Sequence, residues 1–195
     1  MSMPTFVSGV PQSIYTLTDL RVARWDGTTY GTPVSLAEGQ TLEFEPQADT
    51  DQKKSYGLIT RLLSVFTSVN ITIGVGLIQA NAWWVMIRLA VSETGDSGDK
   101  IQSLGVDGGG AGLPYFGVVG NFASDDAGDV AIGIPRVKLD APPSLASEQN
   151  QFILPESSAV GIANTISATP KRILFIDQNQ QAKVISNFNT FFKIS

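Results

Sequence analysis

The chain has 195 residues, 43% hydrophobic and 16% charged, with 18 Asp and Glu against 13 Lys and Arg for a net charge of −5. That length fits a single domain spanning residues 1–195 and allows a real core. There is no Cys and no His, which excludes disulfides, thiolate chemistry, Cys-ligated metal and imidazole acid–base catalysis.

The acidic balance argues against tight nucleic-acid binding, which relies on Lys and Arg to neutralise phosphates. The charged fraction also falls below the roughly 25% of a typical globular domain, as expected of a surface partly covered by other subunits. No basic-then-apolar leader is legible in Met1 to Val10. The stretch Leu62 to Ile87 carries no charge, yet Ser64, Thr67, Asn70, Thr72, Gln79 and Asn81 interrupt it and its first half has period two. It reads as no membrane span.

In chain order, residues 1–19 read as an extended N-terminal arm. A hairpin follows, Leu20 to Trp25 and Thr28 to Tyr30 around the turn Asp26-Gly27, with Pro33 to Leu36 extending it. The next strand is Thr41 to Glu45, with Leu42 and Phe44 on one face and Glu43 and Glu45 on the other. Residues 46–57, PQADTDQKKSYG, lack any apolar period and read as a long polar loop for assembly contacts. Then Val69, Ile71, Ile73, Val75 and Leu77 alternate with Asn70, Thr72, Gly74 and Gly76 without a miss. That is a strand with one packed face. Its other face has no charge, so some further surface is expected to cover or continue the sheet.

Asn81 as N-cap and the stripe Trp83, Met86, Ile87 and Ala90 predict one helix over about 80–90; Trp84 and Arg88 share another of its faces. A Gly- and Asp-rich stretch, 93–112, holds a short strand near Ile101 to Leu104. Strands are predicted over Tyr115 to Phe122 and Asp129 to Asp140. In the latter, Val130, Ile132 and Ile134 have one parity and Val137 and Leu139 the other, so the phase slips at Pro135, as at a bulge. The chain ends with a predicted hairpin, Arg172 to Ile176 and Ala182 to Ile185 around DQNQQ, followed by Phe188, Phe191 and Phe192.

Motifs with a chemical look fail on their missing partners. Gly95-Asp96-Ser97-Gly98 resembles a serine-protease nucleophile segment, but no histidine can take the serine proton. The run Asp107 to Gly112 lacks the Gly-Lys-Ser/Thr ending of a phosphate loop. Asp125, Asp126 and Asp129 lack EF-hand spacing and its final Glu. Glu43 and Glu45 could in principle act as acid and base, but as neighbours on one strand they read as its wet face. No catalytic residue, cofactor site or metal site is predicted, and an enzyme is not expected.

Three segments carry a family resemblance: LAEGQTLEFEPQADTDQKKSYG (36–57), SVNITIGVGLIQANAWWVMIRLAVSETGDSG (68–98) and LPYFGVVGNFASDDAGDVAIGIPRVKLDAP (113–142). Their order resembles that of bacteriophage major tail tube proteins: a polar loop after an early strand, a strand–helix unit, a Gly-marked break, then paired strands opened by an aromatic-Gly segment. The resemblance implies a mainly β fold, a β-sandwich or barrel-like subunit with one flanking helix and long assembly loops. It further implies a homo-hexameric ring stacking into a tube in the virion tail, made in the host bacterial cytoplasm. Other tail proteins (tape measure, terminator, distal tail) would be its partners, and DNA would pass through without specific binding.

On this resemblance Glu43 and Glu45 are expected to line the lumen. Asp49, Asp51, Lys53 and Lys54 in the 46–57 loop would make contacts between subunits or rings, as would Arg136 and Lys138. The basic residues Arg136, Lys138, Lys171, Arg172, Lys183 and Lys193 would lie away from the lumen, opposite Asp49 and Asp51. Alternatives are a tail terminator or another virion structural protein and, from a different class, a carbohydrate-binding β-sandwich module with Trp25 and Tyr30 as an exposed platform.

Overall fold

A computed structural model describes residues 14–36, 39–55, 58–75, 85–87, 89–94, 101–106, 112–124, 129–140, 156–163, 173–180 and 185–194. The chain is mainly β. Among the described residues ten strands run β1 Ile14–Arg24, β2 Val34–Ser35, β3 Gly39–Ser55, β4 Leu58–Val75, β5 Leu89–Thr94, β6 Ile101–Val106, β7 Phe116–Ser124, β8 Asp129–Leu139, β9 Glu156–Ile162 and β10 Phe175–Gln180. Eight form one antiparallel sheet in the order β2-β1-β7-β8-β9-β4-β3, with β10 joined to β8, while β5 and β6 pair as a separate hairpin.

The alternation at 69–73 is what the sheet uses. Val69, Ile71 and Ile73 are buried in the main core with Leu20, Val22, Phe116, Val118, Ile134, Val137 and Leu139. Each such aliphatic side chain gains about 1.5–3 kcal/mol from leaving water. One ladder row, Leu139–Ala159–Ile71–Phe44, crosses β8, β9, β4 and β3 and faces this core throughout. The sheet curls until β3 returns toward β1 and β7. Leu42 and Leu17 pack at Gly120, where any Cβ would collide with the Leu42 side chain. Closure is therefore barrel-like and made by side chains, with no hydrogen-bonded β1–β3 ladder among the described residues.

β8 is the pivot. β7 runs along one side of it, and its other side is shared by β10 over Asp129–Gly133 and β9 over Arg136–Leu139. The change of partner falls at Pro135, which has no N–H to give to a ladder. Across the β7 side, Val118 pairs with Ile134 but Phe116 with Val137, so Pro135 and Arg136 face the single residue Gly117. This is the bulge expected from the phase slip.

A second, aromatic core lies on the opposite face of β1, β7 and β8. Ala23, Trp25, Tyr30, Val119, Ala131 and Phe175 are buried there with Phe188 and Phe192. Phe188 opens a one-turn helix, Phe188–Phe191, and Phe192 is its C-cap. A helix of that size has no stability of its own. The Asn187 side chain caps it by accepting from the Thr190 N–H at 3.1 Å. The Asn189 amide clamps it to the first hairpin, accepting from Tyr30 N at 2.8 Å and donating to Tyr30 O at 3.3 Å.

Several expectations need correction. Residues 14–19 belong to β1 rather than to an arm, and residues 1–13 lie outside the described residues. Of the helix over 80–90, one buried turn at 85–87 is described and Leu89 already opens β5; Trp83, Trp84 and Arg88 lie outside the described residues. Leu89–Thr94 matches Ile101–Val106 residue for residue, so its backbone is satisfied across a hairpin instead of along a helix. No turn interrupts Asp177–Gln180: they continue β10, which pairs with β8. Residues 181–184 lie outside the described residues, as do Asp125 and Asp126 and the Gly95–Gly98 segment.

The first hairpin holds as expected. Asp26 accepts from the backbone N–H groups of Thr28 and Thr29, both at 2.7 Å, and Gly27 takes φ 113°, the left-handed region that favours glycine. Those two N–H bonds, with the Thr28 hydroxyl, hold the Asp26 carboxyl well below the usual range.

Candidate assembly interface

The polar stretch 46–57, expected as a loop, is mostly strand. From Pro46 to Ser55, β3 pairs with β4 from Val69 back to Leu58. β9 accompanies β4 only from Val69 onward. Beyond that row, among the described residues, β3 and β4 continue as a two-stranded ribbon, about 30 Å long at the usual rise per residue. Residues 56 and 57, at its tip, lie outside the described residues. Strand structure was hidden there because residues 46–55 contribute little apolar surface of their own; their partner, β4, supplies it. Pro46 is tolerated because β3 is an edge strand, whose outward side needs no donor.

On the ribbon, Asp49, Thr50, Asp51, Gln52, Lys53, Leu63, Ser64, Val65 and Thr67 are all exposed. Leu63 and Val65 are each 49% exposed. The register places Asp49 opposite Val65 and Asp51 opposite Leu63 on one face, which Lys53 continues along β3. On the other, the Thr50 and Ser64 hydroxyls meet at 2.8 Å. Lys54 lies in β3, paired with Ile59, and its side chain is outside the described residues. A lone two-stranded hairpin is marginal in water, and this one exposes aliphatic side chains on a charged frame.

The reason for expecting a partner therefore moves. The uncharged strand 69–75 is not an edge: β9 flanks it on one side and β3 on the other, so its ladder is complete within the chain. The exposed edge, β3, carries Glu43, Glu45, Asp49, Asp51 and Lys53, the charge that guards a sheet margin.

Glu43 and Glu45 are exposed on the face of β3 opposite Leu42 and Phe44. Asn70 reaches the Glu45 carboxylate from β4 at 3.5 Å. The register relates these acids to the basic pair within the sheet. One ladder row runs Lys138–Val160–Asn70–Glu45, so Lys138 and Glu45 share a face. They stand three strand spacings apart, about 14 Å. Arg136 has the same parity on β8, and both cations stand over the Tyr115 ring, at 4.6 Å for Arg136 and 5.5 Å for Lys138. This face is acidic at the β3 margin and basic at β8. Asp49 and Asp51 lie further along the ribbon. Of the tail cations, Lys193 is described and exposed, while Lys171, Arg172 and Lys183 lie outside the described residues.

The aromatic platform expected of a carbohydrate-binding module is absent at its named residues. Trp25 and Tyr30 are each 6% exposed. Their rings stand 4.7 Å apart, and Tyr30 leans on Phe188 and Phe192 at 5.7 and 5.3 Å. The Tyr30 hydroxyl donates to the Pro135 carbonyl, joining the first hairpin to the bulge. Neither ring face is free to stack on a sugar.

Burial pushes the Tyr30 phenol far above its ordinary value, against a smaller opposing pull from Arg136. The folded state thus favours the neutral phenol. Its stabilisation is complete below the unfolded pKa near about 10 and declines as pH rises beyond it. Urea midpoints measured from pH 8 to strongly alkaline pH should fall for the native chain and fall less steeply for Tyr30→Phe. Parallel curves would contradict this account.

The sequence was compared with protein-family models and with curated proteins, and it matches none of them.

Proposed function

We propose that this chain is a non-enzymatic structural subunit that assembles with copies of itself, as the repeating unit of a phage tail tube or a closely related injection tube. The observation that carries the reading is the β3–β4 ribbon, which extends beyond the sheet with Leu63 and Val65 uncovered beside Asp49 and Asp51. Extended arms with apolar and charged residues on one face suit contacts between unlike surfaces of identical copies, and such head-to-tail contacts close into rings or propagate as filaments. The curled, barrel-like sheet and the order of segments that resembles tail tube proteins support the tube as the form of assembly. The net charge of −5 suits a conduit along which DNA moves without adhering.

Negative-stain electron microscopy of the purified protein tests the reading. Stacked rings or tubes are the expected result. A single closed ring that never stacks would indicate a terminator, and a monomer at all concentrations would overturn self-assembly. Within the same experiment, Asp49→Lys with Asp51→Lys should shorten or abolish tubes, most clearly at low salt where charge acts over longer range. Tubes of unchanged length would remove these carboxylates from the contact.

A further inference from the structure

The strands β1-β7-β8-β9-β4-β3 form a curl that closes where Leu42 of β3 and Leu17 of β1 meet at Gly120. Around that curl β8 is three steps from β3 by either route, through β4 and β9 or through β1 and β7. The two strands therefore stand across the main core from each other. Leu42 and Phe44 pack on that core from β3, and Val137 and Leu139 lie in it from β8. Strand alternation sends Glu43 and Glu45 on β3, and Arg136 and Lys138 on β8, to the outside. Outward side chains on opposite strands of a closed curl point away from each other. The barrel thus carries an acidic pole at β3 and a basic pole at β8, on opposite sides.

Neither pole is neutralised by its cross-strand neighbours. Glu43 and Glu45 are both exposed, and the residues opposite them on β4 are the uncharged Thr72 and Asn70. Arg136 and Lys138 are half-buried over Tyr115, and the residues opposite them on β9 are Ile162 and Val160. Asp140 lies beyond the end of β8. On β1, between the poles, Asp19 and Arg21 cancel each other in an ion pair at 2.6 Å.

We propose that the acidic pole of one copy, Glu43 and Glu45, docks on the basic pole of a second copy, Arg136 and Lys138 over Tyr115. This rests on the reading that the chain assembles with itself. It adds a second contact to that of the ribbon and assigns Glu43 and Glu45 to the junction between copies rather than to a lumen. Opposite charge identifies the occupant of each pole and disfavours docking of like poles. The Tyr115 ring already holds both cations, so less side-chain freedom is lost when they meet carboxylates. Because the poles point apart, each docked copy keeps its other pole uncovered for the next. The contact is heterologous and repeats from copy to copy. Poles on one side would let two copies satisfy each other and stop.

A charge exchange tests the pairing, read by sedimentation velocity over a concentration series at low salt, where these charges act over the longest range. Glu45→Lys alone and Lys138→Glu alone should each raise the concentration needed for assembly at least about tenfold, because each sets like charges face to face. An equimolar mixture of the two variants restores opposite signs at every contact, as does the chain carrying both changes. Both should assemble near the native concentration, into species larger than dimers. Thermal melting of the dilute variants checks folding. Lys138→Gln, which keeps most of the stem over Tyr115, should give a smaller shift in the same direction. Single variants that assemble at the native concentration, or a mixture and a double variant that do not recover, would overturn this contact and leave self-assembly standing. Recovery that stops at a dimer would overturn the placing of the poles on opposite sides. Failure of the native chain to assemble at any concentration would overturn both the contact and the reading it rests on.

Discussion

Phe192→Ala should lower the free energy of unfolding by about 3–5 kcal/mol, the usual cost of removing a buried phenylalanine. Phe192 is fully buried at 0% exposure. Its ring lies 5.3 Å from Tyr30, 5.3 Å from Phe175, 5.5 Å from Phe188 and 5.0 Å from Phe191. The residue joins four separate pieces of chain: the first hairpin, the β7–β8 pair, β10 and the terminal helix. Its loss leaves a cavity that cannot collapse easily, because Gly117 faces the same cluster and its backbone is fixed in β7. A Cβ at Gly117 would already approach Tyr30 to 2.9 Å and Phe188 to 3.0 Å. Against a typical stability of about 5–15 kcal/mol this is a large fraction. Urea unfolding followed by tryptophan fluorescence reads it directly, since Trp25 is part of the cluster. Phe191→Ala, at a half-buried position, should cost less. A Phe192→Ala change under about 1 kcal/mol would mean that the terminal helix does not hold the sheet face.

The elements legible in the sequence are those whose own side chains reveal the partner. Val69, Ile71 and Ile73 advertise a half-buried strand by parity alone, and Pro135 advertises the bulge because a proline cannot keep both ladders in phase. Asp26-Gly27 encodes its turn locally, in one carboxylate and one positive φ. The misread elements depend on residues far away. Nothing in PQADTDQKKS is apolar enough to predict a strand, and it becomes one because β4 lies alongside. Asp177–Gln180 looks like a turn by composition, yet β8 offers it a ladder from far earlier in the chain, at Asp129 to Ala131. Leu89 and Ala90 fall within the predicted helix until Val106 and Gly105 are seen to pair with them.

Among the candidate site residues, parity correctly separated Glu43 and Glu45 from Leu42 and Phe44. It could not show that Lys138 shares their face, because that requires knowing that β9 and β4 lie between them. The sequence carried a hint of the aromatic core in Phe188, Phe191 and Phe192, but not that Trp25 and Tyr30 belong to it.

Leu63→Lys combined with Val65→Lys is expected to leave the folded monomer intact and to raise the concentration needed for assembly at least tenfold. The choice of lysine is dictated by the register. Position 63 stands opposite Asp51 and position 65 opposite Asp49, so each new cation meets a carboxylate across the ribbon. Such cross-strand pairs contribute roughly 0.2–1 kcal/mol to the hairpin. Aspartate at the same sites would set like charges face to face and unravel the arm, confusing loss of contact with loss of structure. Because both side chains are half exposed, the change should move the unfolding midpoint of the monomer by no more than surface substitutions do, within about 0.5 kcal/mol. At the contact the effect runs the other way. Covering the remaining surface of a leucine and a valine is worth about 1 kcal/mol apiece, half the full burial value, and two lysines would have to shed water to take their place. A loss of about 2 kcal/mol exceeds the 1.4 kcal/mol that corresponds to a factor of ten. Sedimentation velocity over a concentration series measures the shift, with thermal melting of the dilute protein as the check on folding. A double-lysine variant that melts like the native chain and still assembles at the native concentration would show that the ribbon's aliphatic face is not what the copies hold on to.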